Sequence, residues 1–202
     1  SGYDKAEAKD YYGAIADYTR AIEINPNDAD AYNNRGNSKE KLKDYNAAIA
    51  DYTKAIEINP NNALAYYNRG VGKGNLKDYN GAIADYTKAI EINPNDADTY
   101  INRGLSKKNL KDYYGAIADY TKAIEINPNN ALAYNNRGVS KKELKDYYGA
   151  IADYTKAIEI NPNYVKAYNN RGSSKDDLKD YYGAIADYTK AIEINPNYAL
   201  AY

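Results

Sequence analysis

An asparagine recurs along this chain at a constant interval of 34 residues, and its side-chain carboxamide can form hydrogen bonds with a partner. The series consists of Asn34, Asn68, Asn102, Asn136 and Asn170. A carboxamide carries both donors and an acceptor, so a row of them can pair with the backbone of an extended peptide without reading its side chains. The sequence leaves an alternative open, in which each amide bonds to neighbouring residues or to water.

Catalytic and metal chemistry has few candidate residues. The chain contains no His and no Cys, which removes the commonest general base, the thiolate nucleophile and most zinc sites. The carboxylates recur in every period, whereas a catalytic pair would be unique, so their periodicity indicates a structural role. The acidic segment 95–98 lacks the glycine and distal Glu of a calcium loop and recurs at 27–30. We therefore predict that the protein is not an enzyme and holds no metal and no cofactor.

The charges are balanced and mixed along the chain. Lys and Arg number 27 against 28 Asp and Glu, for a formal net charge of −1, and the two signs do not form blocks. Nucleic-acid binding takes a clustered basic face, so we predict no nucleic-acid partner. The apolar runs are a few residues long, against roughly 20 for a membrane span, so we predict no membrane insertion. We expect a soluble chain and place it in the cytoplasm.

Proline punctuates the sequence with the same period, from Pro26 to Pro196. The repeats that this defines are a partial unit over 1–28, full units over 29–62, 63–96, 97–130, 131–164 and 165–198, and the start of a further helix over 199–202. Such a period is the sequence signature of a repeat architecture.

Each full unit predicts two helices. In the first full unit, one helix covers about 29–42 and is capped by Asn27 or Asp28. A second runs from Asp44 as its cap to about residue 58, where an Asn-Pro pair ends it. The apolar residues of the second helix form one stripe: Tyr45, Ala48, Ile49, Tyr52, Ala55 and Ile56. One hairpin cannot bury this stripe, so the hairpins must stack.

This 34-residue pattern resembles the tetratricopeptide repeat family. In the first full unit the matching residues are Tyr32, Gly36, Ala48, Tyr52 and Pro60, and the resemblance extends over essentially the whole chain. It implies an all-α fold, a right-handed superhelical solenoid of antiparallel helix hairpins, formed by residues 1–202 as a single domain. It also implies a scaffold whose partner is a protein or an extended peptide. Some family members that bind extended segments use an asparagine ladder, and the asparagine series resembles it.

The positions that differ between the near-identical units indicate where a partner would dock. In the first helix they are spaced by three, four and three residues and so lie on one helical face. Several of them are apolar: Tyr67, Val71, Ile101, Leu105 and Val139. In the family the first helices line the concave groove, so we predict that these residues and Asn135 join the asparagine series in a peptide-binding surface. The alternative is neutral drift on a solvated face.

The chain departs from the family pattern at two positions of the first helix. Arg35 stands where the family usually has Leu, and Lys39 where it usually has Tyr, with the same pair in every full unit. We predict Arg–Asp pairing between repeats, with the Lys ammonium in water. The alternative is a solvated charged face with no fixed pairs. The family's carboxylate clamp is not expected, because the lysines that would precede the asparagines are missing.

A second function class is a structural scaffold that assembles with itself. The chain ends four residues into a helix and begins about two residues further along the same helix. Two molecules set head to tail would nearly complete that hairpin, so we predict self-association through the incomplete terminal helices as the alternative to a dedicated ligand.

Overall fold

The computed structural model of the chain describes residues 2–7 and 10–197. Its helices are α1 (Gly2–Glu7), α2 (Tyr11–Ile24), α3 (Ala29–Lys41), α4 (Tyr45–Ile58), α5 (Ala63–Asn75), α6 (Tyr79–Ile92), α7 (Ala97–Asn109), α8 (Tyr113–Ile126), α9 (Ala131–Glu143), α10 (Tyr147–Ile160), α11 (Val165–Asp177) and α12 (Tyr181–Ile194). None of the residues in these two described ranges forms a strand. The prediction of an all-α fold built from helix hairpins is confirmed.

The helices pack as stacked hairpins within two compact units, residues 1–106 and residues 107–202. In the first unit α3 packs against α2 and α4, and α5 packs against α4 and α6. In the second unit α9 packs against α8 and α10, and α11 packs against α10 and α12. The first helices of successive repeats also touch, α3 with α5 and α9 with α11. These first helices therefore lie side by side, on one face of the stacked repeats.

Aspartates cap both helices of the first full repeat, as the sequence indicates. The Asp44 carboxylate caps α4 by accepting the N–H of Ala47 at 3.2 Å, and Asp28 caps α3 by accepting the N–H of Ala31 at 2.9 Å. Each bond satisfies one backbone donor that the first turn would leave unpaired. Of the two candidate caps for the first helix, the structure selects Asp28.

The turn inside each hairpin depends on a backbone conformation that the residue types in the sequence do not indicate. Lys43 has φ of 63°, in the left-handed region that usually favours glycine. The N–H of Lys43 donates to the Glu40 carbonyl at 2.8 Å, and that of Asp44 donates to the Lys39 carbonyl at 3.0 Å. This pair of bonds is the Schellman motif that closes a helix. Asp44 thus terminates α3 and caps α4, which makes the turn tight.

In the hairpins α3–α4, α5–α6, α9–α10 and α11–α12 a tyrosine of the second helix packs on a glycine of the first. Tyr52 is fully buried in α4, as are Ala48 and Ala55 on either side of it. A Cβ at Gly36 would lie 2.6 Å from the Cε1 atom of the Tyr52 ring, closer than any real contact. The absence of a side chain at Gly36 is therefore what lets the two helices approach.

A buried ion network links the two helices in the hairpins α3–α4, α5–α6, α9–α10 and α11–α12, and it corrects the predicted pairing. Arg35 donates from Nε and Nη2 to the two carboxylate oxygens of Asp51, at 2.9 and 2.7 Å. The ammonium of Lys39 lies 2.7 Å from the same carboxylate, whose side chain is 6% exposed. Arg35 and Asp51 belong to one repeat, so the predicted pairing between repeats was wrong. The prediction of a solvated Lys ammonium was also wrong, because this lysine pairs with a buried carboxylate.

The link between repeats comes from the third guanidinium nitrogen. The Nη1 atom of Arg35 donates to the Thr19 hydroxyl of the preceding second helix at 3.2 Å, and the Arg69–Thr53 and Arg171–Thr155 pairs repeat this contact at 3.1 and 3.0 Å. The planar fork of Arg holds the carboxylate with two nitrogens and directs a third at the hydroxyl, whereas the donors of a Lys all radiate from one atom. Arginine at this position therefore links its hairpin to the preceding one by a hydrogen bond.

Candidate functional site

The asparagine series lies at the contacts between successive first helices. The side-chain amide of Asn68 donates to Asn33 Oδ1 and to Asn37 Oδ1, both at 3.0 Å. Asn170 donates to Asn135 Oδ1 at 3.0 Å, and Asn102 donates to the Tyr67 hydroxyl at 2.9 Å. These amide donors are therefore engaged with the preceding repeat, which is the local bonding that the sequence left open.

The donor contacts change what the asparagines can offer a partner. The carbonyl oxygen of the Asn68 side chain has no hydrogen-bond donor among residues 2–7 and 10–197, and the residue is half-buried. Asn34 is also half-buried, while Asn136 Oδ1 lies 3.4 Å from the Asn135 side-chain nitrogen. In the free chain an amide such as Asn68 presents an acceptor, and bidentate pairing would require its present donor bonds to break.

The apolar variable positions divide between the surface and the packing layer. Ile101 and Asn135 are each only 5% exposed, so they are packing residues and not part of an open docking surface. This corrects the expectation for these two. For Asn135 the reason is its contact with the next first helix, because its Oδ1 atom accepts the Asn170 amide. Leu105 is 37% exposed, and Val139 is half-buried.

Tyr67 and Val71 line an open cavity in the first compact unit. This cavity of about 350 Å³, named here the α3–α5 pocket, is lined by Asn37, Glu40, Lys41, Tyr67, Asn68 and Val71. A second cavity of about 190 Å³ is lined by Tyr3, Tyr11, Tyr18, Asn34, Asn37, Ser38 and Lys41. The two cavities share Asn37 and Lys41, so a recessed surface follows α3 on both sides. Sequence reasoning missed Glu40 and Lys41 as site residues, although Glu40 occupies one of the variable positions.

The wall between the α3–α5 pocket and the hairpin core carries a buried phenol. The Tyr52 hydroxyl donates to Asn37 Oδ1 at 2.8 Å and lies 3.1 Å from Glu40 Oε2. Burial, with the Glu40 and Asp51 charges adding to it, raises the pKa of Tyr52, so the hydroxyl stays a neutral donor. Burial likewise raises the pKa of the Glu40 carboxyl group, against the smaller opposing effects of Tyr52 and Lys41.

The same phenol is unpartnered in another repeat, which predicts opposite effects of one substitution. The Tyr154 hydroxyl has no hydrogen-bond partner in the part of the chain described, because Val139 and Lys142 replace Asn37 and Glu40. We expect Tyr154→Phe to raise the free energy of unfolding by up to about 1 kcal/mol, since it removes an unsatisfied buried group. Tyr52→Phe removes satisfied bonds and should lower it by about 1 kcal/mol. Urea unfolding of the two variants checks the signs, and equal losses would contradict the assignment.

Other chemistry finds no counterpart in the structure. No group of three or more Asp and Glu residues with metal-binding geometry occurs among the residues that were described. None of the helices in that part of the chain combines the length and the apolar character that a bilayer crossing requires.

Stacked two-helix repeats with these contacts define a helical repeat protein. The sequence profile of the tetratricopeptide repeat matches residues 29–62, 63–96, 97–130, 131–164 and 165–198, and a further TPR profile matches residues 2–43. The chain therefore belongs to the tetratricopeptide repeat family, as its resemblance implied. A comparison with curated protein sequences found no match.

Solved structures with the same fold include proteins of several kinds. YrrB, described as a TPR protein with an unusual peptide-binding site, is 27% identical, with a TM-score of 0.77 over 91% of this chain and 95% of its own. A MamA protein is 25% identical, with a TM-score of 0.78 over 85% of this chain and 93% of its own. PilF of Pseudomonas aeruginosa is 18% identical with a TM-score of 0.83 over 99% of this chain and 91% of its own, which shows the fold alone.

Proposed function

We propose that this chain is a non-catalytic scaffold that holds an extended peptide or protein element against its first helices. The observation that carries the proposal is the recessed surface along α3, where two cavities of about 350 and 190 Å³ share lining residues. Four residues of the predicted surface, Asn34, Tyr67, Asn68 and Val71, line them. The similarity to YrrB, whose description names a peptide-binding site, supports a peptide as the occupant.

The chemistry of this surface suits backbone recognition more than side-chain selection. Asn68 offers an unused carbonyl oxygen beside the apolar face of Tyr67 and Val71. A peptide in extended conformation presents N–H groups that such an acceptor can bind, while its side chains occupy the cavities. Proteins or peptides are therefore the proposed partners, with no nucleic acid and no membrane involved, and a cytoplasmic location stays a prediction.

Substitution of Asn68 tests this proposal. We expect Asn68→Ala to weaken binding of a selected unstructured peptide by about fivefold to tenfold, because one hydrogen bond to the peptide backbone is lost. The measurement is fluorescence anisotropy with a labelled peptide obtained from a library screen against the wild-type chain. The matched control is Asn46→Ala, which removes an exposed amide on α4 away from the first helices. A library without binders, or equal affinities for the three proteins, would count against the proposal.

The predicted head-to-tail assembly involves Ser1 and residues 199–202, which lie outside the described residues, so it stays a prediction.

A further inference from the structure

The α3–α5 pocket contains a carboxylate that lacks a cation. Glu40 is half-buried, and its nearest polar contact is the Tyr52 hydroxyl, 3.1 Å from Oε2. Within residues 2–7 and 10–197 it forms no ion pair, whereas Asp51 and Asp85 are each held by an Arg and a Lys. A partly desolvated, unpaired carboxylate is costly, so its surroundings favour a positive charge that would enter the cavity.

Tyr67 gives the pocket a fixed aromatic wall. Its hydroxyl accepts a hydrogen bond from the Asn102 amide at 2.9 Å, and its ring centroid lies 5.9 Å from that of Tyr86 at an angle of 51°. These contacts hold the ring from two sides, so it needs little ordering when a ligand binds. A guanidinium group is planar and weakly hydrated, and it stacks on such a ring more favourably than an ammonium does.

The charges around Tyr67 are mostly negative. Burial and then the carboxylates of Asp98, Asp96 and Glu40 raise the pKa of the Tyr67 hydroxyl, which places three anions within electrostatic range of it. Lys41 is the one cation among the residues that line the pocket, and it is exposed to solvent. Among the lining residues Glu40 is the one anion and is half-buried, so the recessed part of the pocket carries its negative charge and is complementary to a cation.

In the second compact unit the corresponding gap between first helices, α9 and α11, contains a cation of the chain. Lys142 occupies the position of Glu40, and its ammonium lies 2.5 Å from the Ser173 hydroxyl and 3.1 Å from Asp177 Oδ2 across the α9–α11 gap. In the α3–α5 gap the position of Asp177 is taken by the neutral Asn75. Between α9 and α11 the two charges pair across the gap, whereas between α3 and α5 Glu40 has no cation of the facing helix as its partner.

We propose that the α3–α5 pocket binds an arginine side chain of the partner, with Glu40 as its counter-ion and the ring of Tyr67 as its stacking surface. This inference rests on the proposed function, because it names the side chain that the bound peptide inserts at this point. The pairing of an acidic and an aromatic residue occurs once along the described first helices, since the positions of Glu40 and Tyr67 hold other residue types in the next repeat, Gly74 and Ile101. The pocket therefore sets the register of the peptide.

The test uses propylguanidinium as the probe, at constant ionic strength. We expect it to shift the backbone amide resonances of Glu40, Tyr67 and Val71 in NMR titrations, and to bind about tenfold more weakly to Glu40→Gln. The Gln side chain keeps an oxygen that accepts from Tyr52, so the fold is retained. Glu57→Gln is the matched control, because it removes an exposed carboxylate paired with Lys54 on α4, and it should leave the titration unchanged.

Two further probes and one further variant make the outcome decisive. Pentanol, an apolar molecule of similar size, and propionate, an anion, should leave these resonances in place, and equal shifts from either would overturn the proposal. Unchanged affinity in Glu40→Gln would overturn it too. Should that variant fold poorly, Tyr67→Asn gives the same test, because Asn33 and Asn135 already accept the equivalent amide bond. We expect several-fold weaker binding of propylguanidinium to Tyr67→Asn.

The probe separates this inference from the proposed function. Propylguanidinium has no peptide group, so its binding does not depend on backbone recognition by Asn68. Peptide binding without any response to the probe would leave the scaffold function standing and remove the arginine pocket. A response to the probe without any peptide binder would support the arginine pocket and count against the scaffold function.

Discussion

Replacement of Asp85 by asparagine should lower the free energy of unfolding by about 3 kcal/mol, the largest effect that we expect from a single substitution. The Asp85 side chain is 5% exposed and holds two cations. Arg69 Nε and Nη2 donate to it at 2.9 and 2.7 Å, and the Lys73 ammonium lies at 2.8 Å. Asparagine has nearly the same shape but no charge, so the two cations would remain close together with no anion between them.

The control for this prediction removes an exposed charge from the neighbouring surface. Glu91→Gln breaks the ion pair of Glu91 with Lys88. The two side chains are 54% and 58% exposed, so solvent screens the pair and stability should hardly change. Thermal and urea unfolding of both variants measure the difference. The same network recurs in the repeats of Arg35, Arg137 and Arg171. A loss for Asp85→Asn no greater than that of the control would show that the network contributes little.

Gly138→Ala should lower the free energy of unfolding by about 2 kcal/mol. A Cβ at Gly138 would lie 2.7 Å from Cε1 of Tyr154 and 3.0 Å from its Cζ. The Tyr154 ring is fully buried, so it cannot move away without repacking the hairpin. Overpacking of this kind costs up to about 3 kcal/mol, against about 1 kcal/mol gained from the better helix propensity of alanine.

Gly149→Ala in the same hairpin should have the opposite sign. The nearest atoms to its Cβ would all belong to the Asp146 carboxylate, which is the end of a side chain that can rotate. Another repeat already has Ala47 at this position, where the capping bond to Asp44 is kept at 3.2 Å. We expect no loss and a gain of up to about 1 kcal/mol. Urea unfolding of both variants is the measurement, and similar losses would mean that the contact with Tyr154 is not what fixes the glycine.

The candidate site could be predicted only in part. The spacing of the variable positions indicated one helical face, and Tyr67 and Val71 do line a cavity there. Ile101 shares the position of Tyr67 but is buried. A helical periodicity gives the direction of a side chain about its own axis, whereas burial also depends on the distance to the next helix. The sequence does not contain that distance.

The sequence by itself determined the repeat, the helices and their caps. Proline at every thirty-fourth residue, aspartate before each second helix and the apolar spacing of three and four are local signals, and the helix ends in the structure follow them within one residue at α3 and α4. Local signals suffice here because capping and helix termination involve residues that are near neighbours in the chain.

The tertiary structure decided which polar groups meet. Arg35 binds a carboxylate on the other helix of its own hairpin, and the side-chain amide of Asn68 donates hydrogen bonds to the preceding repeat. A guanidinium and an amide each have several partners within reach along a regular repeat, so the choice between them depends on the separation and rotation of whole helices. Those are fixed by the approach of Gly36 to Tyr52, a contact between residues 16 apart in sequence that no single helix specifies.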